Sequence, residues 1–198
     1  MSDIGDINLT NHFLIAMPGM VGDTFSQSVV YICEHNEHGA LGLVVNRPID
    51  VTLEQLFNKV NLVLSDINLL EMPVHFGGPV QTERGFVLHV PVSKEAGQVT
   101  APGYTASLHV PSGLEMTSSK DILEAIAEGK GPERFLITLG YAGWDAGQLE
   151  LELSRNGWLT VSADADIIFD TPASERYAKA LALLGIQPGM LVGSVGHA

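Results

Sequence analysis

Residues 18–48, PGMVGDTFSQSVVYICEHNEHGALGLVVNRP, decide how the chain is read. Within them, 28–34 (SVVYICE) is β-branched and aromatic, the composition of a strand. The polar residues 35–39 end in glycine and suit a hairpin turn of about three to five residues. Residues 41–45 (LGLVV) return as the second arm, and Asn46-Arg47-Pro48 closes it. The same stretch holds the one cysteine of the chain, Cys33, and two of its seven histidines. An antiparallel hairpin is therefore the expected seed of the fold.

Upstream, 12–17 (HFLIAM) reads as a short buried strand stopped by Pro18-Gly19, with a loop over 21–25. Downstream, Thr52 and Gln55 have the spacing of a capping box, and Leu53, Leu56, Phe57 and Val60 repeat at helical intervals. A short helix is expected there, covering one face of the hairpin. Residues 61–72 carry no assignable pattern. Residues 74–76 and 85–90 read as strands, the first entering the sharp turn Gly77-Gly78-Pro79. Short strands are expected at 99–101, 106–110 and 114–116. Ser118 or Ser119 then caps a second helix with Ile122, Leu123 and Ile126 on one stripe, ended by Gly129 and Gly131-Pro132.

The run 134–141 (RFLITLGY) is almost continuously apolar, as in a central strand buried on both faces. It leads into the glycine-rich 140–148. Beyond it two patterns compete. Leu149, Leu151 and Leu153 alternate with glutamates like a strand, with Asn156-Gly157 as a hairpin turn. Against that, Asp145 and Gln148 are spaced as a cap and its partner, Ala146, Leu149 and Leu153 share a helical face, and Gly157 suits the C′ position. The helix is the reading adopted. A strand follows at 158–162. Thr171 as N-cap, Pro172 at N1, the face Tyr177, Leu181 and Leu184, and Gly185 past the end define the last helix. Strands and hairpins interrupted by helices, without regular alternation, predict an α+β fold. One domain over 1–198 is expected, with a mainly antiparallel or mixed sheet and about four flanking helices.

Charged residues make up only 17% of the chain, against a typical ~25%. The net charge is −13, from 10 Lys+Arg against 23 Asp+Glu. The bases are scattered, so no basic stripe is available to track phosphates. A lone cysteine excludes an intrachain disulfide and a Cys-rich zinc site. The N-terminal residues lack the features of a Sec signal, and no run approaches a membrane span. A cytoplasmic protein without membrane partner is the expectation.

Several residues could carry chemistry. Glu34, His35, Glu37 and His38 are potential metal ligands, but a turn breaks their shared face, and they read as a solvated turn. Cys33 has apolar neighbours and reads as a structural thiol. No GxSxG elbow or Ser-x-x-Lys pair anchors a serine hydrolase. The 140–148 stretch matches no phosphate loop and reads as a strand–helix junction with Trp144 as a packing anchor. Arg47, held by Pro48 after a buried strand, is the better polar candidate, since guanidinium suits carboxylate or phosphate capture.

Together these residues resemble the YqgE/AlgH family of bacterial proteins. The resemblance runs through 18–48, GGPV at 77–80, RGFVLH at 84–89, GYAGWDAGQLE at 140–150 and the closing Gly196-His197-Ala198. It implies a compact α+β domain with a curved sheet rolled into a pseudo-barrel. It carries no settled activity and no established catalytic residues. The AlgH name implies a link to the control of alginate synthesis and the label of a transcriptional regulator, although the sequence shows neither a helix-turn-helix pattern nor a basic patch. The leading expectation is a non-catalytic binding or regulatory protein, acting through a small ligand or a protein partner rather than direct DNA contact. Asn46, Arg47, Gly77, Gly78, Arg84, His89, Tyr141 and Trp144 are the candidate lining of one groove, and no cofactor is implied. The alternative is a hydrolase using Cys33 or His35 with His89.

Overall fold

The computed structural model describes residues 7–18, 23–91 and 103–191. Gly19, the first part of the expected loop at 21–25, the expected strand at 99–101 and the closing 196–198 lie outside them. The strands are β1 (His12–Ala16), β2 (Val29–Asn36), β3 (Gly39–Val44), β4 (Pro48–Thr52), β5 (Pro73–Phe76), β6 (Val80–His89), β7 (Ser107–His109), β8 (Glu115–Thr117), β9 (Phe135–Asp145) and β10 (Trp158–Ser162). The helices are α1 (Leu53–Lys59), α2 (Lys120–Ala127), α3 (Gln148–Ser154), α4 (Ala165–Phe169) and α5 (Ala173–Ala182). All described strands join one curled, mainly antiparallel sheet in the order β10-β1-β2-β3-β9-β6-β8-β7, which forms a half-barrel. The β4–β5 hairpin joins through β5, which runs parallel to β9 and makes the sheet mixed. The α+β class and the curved sheet are as expected.

Alternation along the strands places the core on both faces. In β1 and β2, Phe13, Ile15, Val29, Tyr31 and Cys33 face the concave cluster under α4 and α5. Leu14, Ala16, Val30 and Ile32 face an opposite cluster with Trp144, Trp158 and Leu149 of α3. Period-2 side-chain geometry with both faces covered explains the near-continuous apolar runs. A third cluster packs α1 and α2 (Leu53, Phe57, Ile122, Ile126) on Val74, Val87 and Ile137 of β5, β6 and β9. The first helix therefore covers the far half of the sheet and not the β2–β3 hairpin. Its capping box forms, with Thr52 Oγ1 accepting from Gln55 N–H and Gln55 Oε1 from Thr52 N–H.

Other local readings are corrected. The β2–β3 turn is only Glu37-His38, with Asn36 opposite Gly39, so His35 lies within the strand. A bulge between Ile32 and Glu34 inserts one extra residue. It shifts the side-chain phase and turns His35 toward α3. The helix at 148–154 forms. Its C-terminus, however, closes on Asn156, at a left-handed φ of 57°, and not on Gly157. Leu184 is partly exposed instead of joining the buried face of α5. The strand at 134–141 runs on to Asp145, because β3 pairs with its second half.

That extension depends on a close crossing of glycines. The N-terminal half of β9 pairs with β5 and the C-terminal half with β3. At the handover, Gly77 donates to Leu139 O and accepts from Val44 N–H, both at 2.8 Å. A Cβ on Gly77 would sit 2.2 Å from Gly140 O, one on Gly78 2.0 Å from Tyr141 C, and one on Gly140 2.3 Å from Gly78 O. Gly140 is also left-handed at φ 73°, a conformation that glycine adopts without steric cost. The contacts are backbone to backbone, so no side chain can swing away. Gly78→Ala should cost more than about 2 kcal/mol, read as a lowered urea midpoint. Gly189→Ala, where a Cβ meets nothing, should change the midpoint little.

Candidate functional site

The eight candidate residues are distributed over both faces of the sheet. Asn46 closes the turn before β2, accepting from Val29 N–H (2.9 Å) and donating to Gln27 O (2.8 Å). Arg47 donates to the carbonyls of Thr24 and Ser26 and stacks over Phe76. Both hold the 23–27 segment against the sheet. Gly77 and Gly78 form the strand crossing. Tyr141 packs edge-on against Phe86 of the concave cluster, whereas Trp144 lies in the opposite cluster. Trp144 and Trp158 both donate their indole N–H to Glu152 Oε2, at 2.9 and 2.7 Å, with Phe25 packed against both rings. Trp144 is thus the packing anchor expected of the 140–148 stretch.

The residues of the hydrolase alternative are occupied by the fold. Cys33 is 1% exposed, and its weak partner is the Tyr31 carbonyl at 3.9 Å. Burial pushes its thiol far above the usual range, which removes the thiolate a nucleophile needs. His35 is buried, accepting from Leu9 N–H at Nδ1 (3.1 Å) and donating from Nε2 to Glu150 (2.9 Å). His89 is sealed inside. Its Nδ1 donates to Val90 O (2.8 Å), which leaves Nε2 to accept from Thr117 Oγ1 (2.8 Å). Burial lowers its pKa, partly offset by the Val90 carbonyl and Glu115. Among the described residues no imidazole hydrogen-bonds Cys33, and no group of three His, Cys, Asp or Glu could hold a metal ion.

Two cavities carry cationic side chains. The first is a groove of about 240 Å³ between α1 and α2. Leu56, Val60, Leu123 and Leu139 give it an apolar part, and Glu83, Arg84, Ser118 and Lys120 line it as well. Arg84 donates to Ser118 Oγ (3.0 Å) and lies over the Phe86 ring. The second, of about 210 Å³, lies where α5, α4, β5 and β9 meet, and both Arg176 and His75 line it. The sequence reading missed these two residues. A signal existed: Arg176 shares a helical face with Tyr177, Ala180 and Leu181, a base inside an apolar stripe. His75 had none, being one residue in a short apolar strand.

Arg176 is 7% exposed, and burial lowers its pKa to about 10, so it stays charged at neutral pH. Its Nε donates to Thr171 O (2.9 Å), and Nη1 to Val45 O and to His75 Nε2 (3.2 Å). Burial first, and then the Arg176 charge, lower the His75 pKa to about 4, against a slight upward pull from the Pro73 carbonyl.

This curled sheet with helices on both faces defines an α+β half-barrel protein in which Cys33, His35 and His89 are buried within the fold. The chain belongs to the AlgH-like family, whose profile matches residues 13–189. It is 64% identical over 192 residues to a UPF0301 protein of Ralstonia nicotianae, covering 97% of this chain and 96% of that one. With a UPF0301 protein of Cupriavidus metallidurans the identity is 65% over the same length and coverage. The solution structure of AlgH from Pseudomonas aeruginosa matches at a TM-score of 0.76 and 45% identity, covering 100% of both chains. A Corynebacterium diphtheriae protein shares the fold at a TM-score of 0.67 and 22% identity, over 94% of this chain and 91% of that one. Among the described residues no helix is long and apolar enough to cross a membrane.

Glu152→Ala leaves two indole N–H groups without their acceptor. It should cost about 2–4 kcal/mol, with a change in tryptophan emission. The neutral His75 sets a pH window. The unfolded imidazole takes a proton near pH 6.5 and the folded one only near 4. Its contribution is therefore full above 6.5 and lost as pH falls toward 4. The loss is about 3 kcal/mol, and acid unfolding of His75→Gln should be less steep across that window.

Proposed function

We propose that the protein is a non-catalytic cytoplasmic binding protein with a regulatory role, acting through a small ligand that occupies the α1–α2 groove. The observation that carries this reading is the groove itself, a mostly apolar lining with Arg84 and Lys120 set against one carboxylate, Glu83. Sites that bind small molecules combine a mostly apolar lining with a few placed polar groups. Arg84 is the candidate residue that sits in such a position, and Ser118 and Lys120 offer further donors there. A protein partner inserting one apolar side chain would use the same features.

The charge distribution disfavours direct DNA contact as the means of regulation. The net charge is −13, and Arg47 and Arg134 are turned to internal carbonyls or to Asp166 and Asp170. The test is calorimetric melting with a panel of anionic metabolites. A metabolite that raises the melting temperature of the wild type should lose that effect in Arg84→Ala and in Leu123→Trp, which fills the groove. No shift with any member of the panel would sink the small-ligand reading. Salt-dependent retention of a DNA duplex at low ionic strength would reverse the statement on DNA.

A further inference from the structure

The cavity between α5 and β5 holds a charge that no carboxylate among the described residues answers. Arg176 is buried, yet no carboxylate among the described residues lies within ion-pair distance of it. This is notable in a chain with 23 Asp+Glu, and Arg134, on the surface nearby, takes two of them. Nε and Nη1 are committed to the Thr171 and Val45 carbonyls and to His75, whereas Nη2 makes no hydrogen bond to a described residue. A buried cation with neutral partners is costly to hold, and an anion in contact with it recovers much of that cost.

His75 adds a second donor. Arg176 can only donate, so His75 Nε2 must be the acceptor, and the neutral ring carries its proton on Nδ1. Nδ1 is sealed from solvent and makes no hydrogen bond of ordinary geometry, although the Pro73 carbonyl is close enough to raise its pKa. Among the described residues the cavity wall therefore holds one positive charge with Nη2 uncommitted, the neutral His75 ring beside it and no carboxylate. Ala173, in the first turn of the ten-residue α5, also lines it. The partial positive charge of that helix end favours an anion. The rest of the wall is apolar, with Leu53, Met72, Phe135 and Phe169.

We propose that this cavity binds a small organic monocarboxylate, its carboxylate against Arg176 and His75 and its apolar body against Phe135 and Phe169. One guanidinium matches one negative charge, and the planar fork matches a carboxylate. An inorganic or nucleotide phosphate, with more charge and more lone pairs, would find too few donors. The volume is about 210 Å³. That equals roughly seven water molecules, room for a short branched or single-ring acid. This site is separate from the Arg84 groove, and either can fail without the other.

The test uses the full chain with benzoate and isobutyrate as probes, and benzamide, isobutyramide and inorganic phosphate as controls. Titration calorimetry should show saturable binding of a carboxylate at millimolar or lower concentration and none of the controls. Arg176→Met should weaken it by about thirtyfold or more. Ala173→Leu, which keeps Arg176 and narrows the cavity, should weaken it likewise while Gly189→Ala leaves it unchanged. In ¹⁵N spectra the His75 ring should show the Nδ1–H tautomer and shift on adding benzoate. If Arg176→Met does not fold, the Ala173→Leu titration and the His75 signal decide. No saturable carboxylate binding, equal binding of the amides or phosphate, undiminished binding in Ala173→Leu, or an unmoved His75 signal would each overturn the proposal.

Discussion

Everything else in this fold is placed by the backbone crossing at Gly77, Gly78 and Gly140. One strand, β9, serves three neighbours, β6 along one edge and β5 then β3 along the other. Two strands can share one edge only if the chain leaving β5 turns away where β3 begins. At that turn the first carbon of any side chain would overlap the backbone of the other strand, which leaves glycine as the only residue that fits. From that handover the sheet curls; the cluster under α4 and α5 spans both halves, while each half carries a cluster of its own besides. The α3 cluster belongs to one half and the α1–α2 cluster to the other.

Much of this was legible in the sequence because it is local. Residues 28–45 announce a hairpin through β-branched arms and a glycine turn, and Thr52 with Gln55 announces a helix start. What escaped was non-local. The bulge at Cys33–Glu34 has no sequence mark, and it alone decides that His35 points to α3. The packing of α1 on β5 and β9 depends on a crossover that periodicity does not record. The five residues of α4 are too few to show a helical repeat. Asn156 closing α3 in place of Gly157 is a one-position shift that the two residues, both able to turn left-handed, disguise.

The candidate site was legible in part for the same reason. Arg47 beside proline and Arg84 beside glycine read as candidate binding groups, yet Arg47 and Asn46 fasten the 23–27 segment. Arg84 does line a groove. The more unusual base, Arg176, sits in mid-helix among apolar residues, where a pattern read for its stripe passes over the exception. Buried polar groups are normally answered by partners. A charge whose partners among the described residues are carbonyls and an imidazole stands apart from Arg134, whose two aspartates are supplied on the surface.

The shared acceptor of Trp144 and Trp158 has a practical side. These are the two tryptophans of the chain, and one carboxylate oxygen of Glu152 fixes both. The tryptophan emission of the protein thus comes from a single spot beneath α3. Both cavities lie on the other side of the sheet or in its other half, and neither is lined by a tryptophan. An emission spectrum will faithfully report that the α3 half is folded and stay silent when a cavity fills. A fluorescence screen of this chain would return blanks for ligands that calorimetry detects.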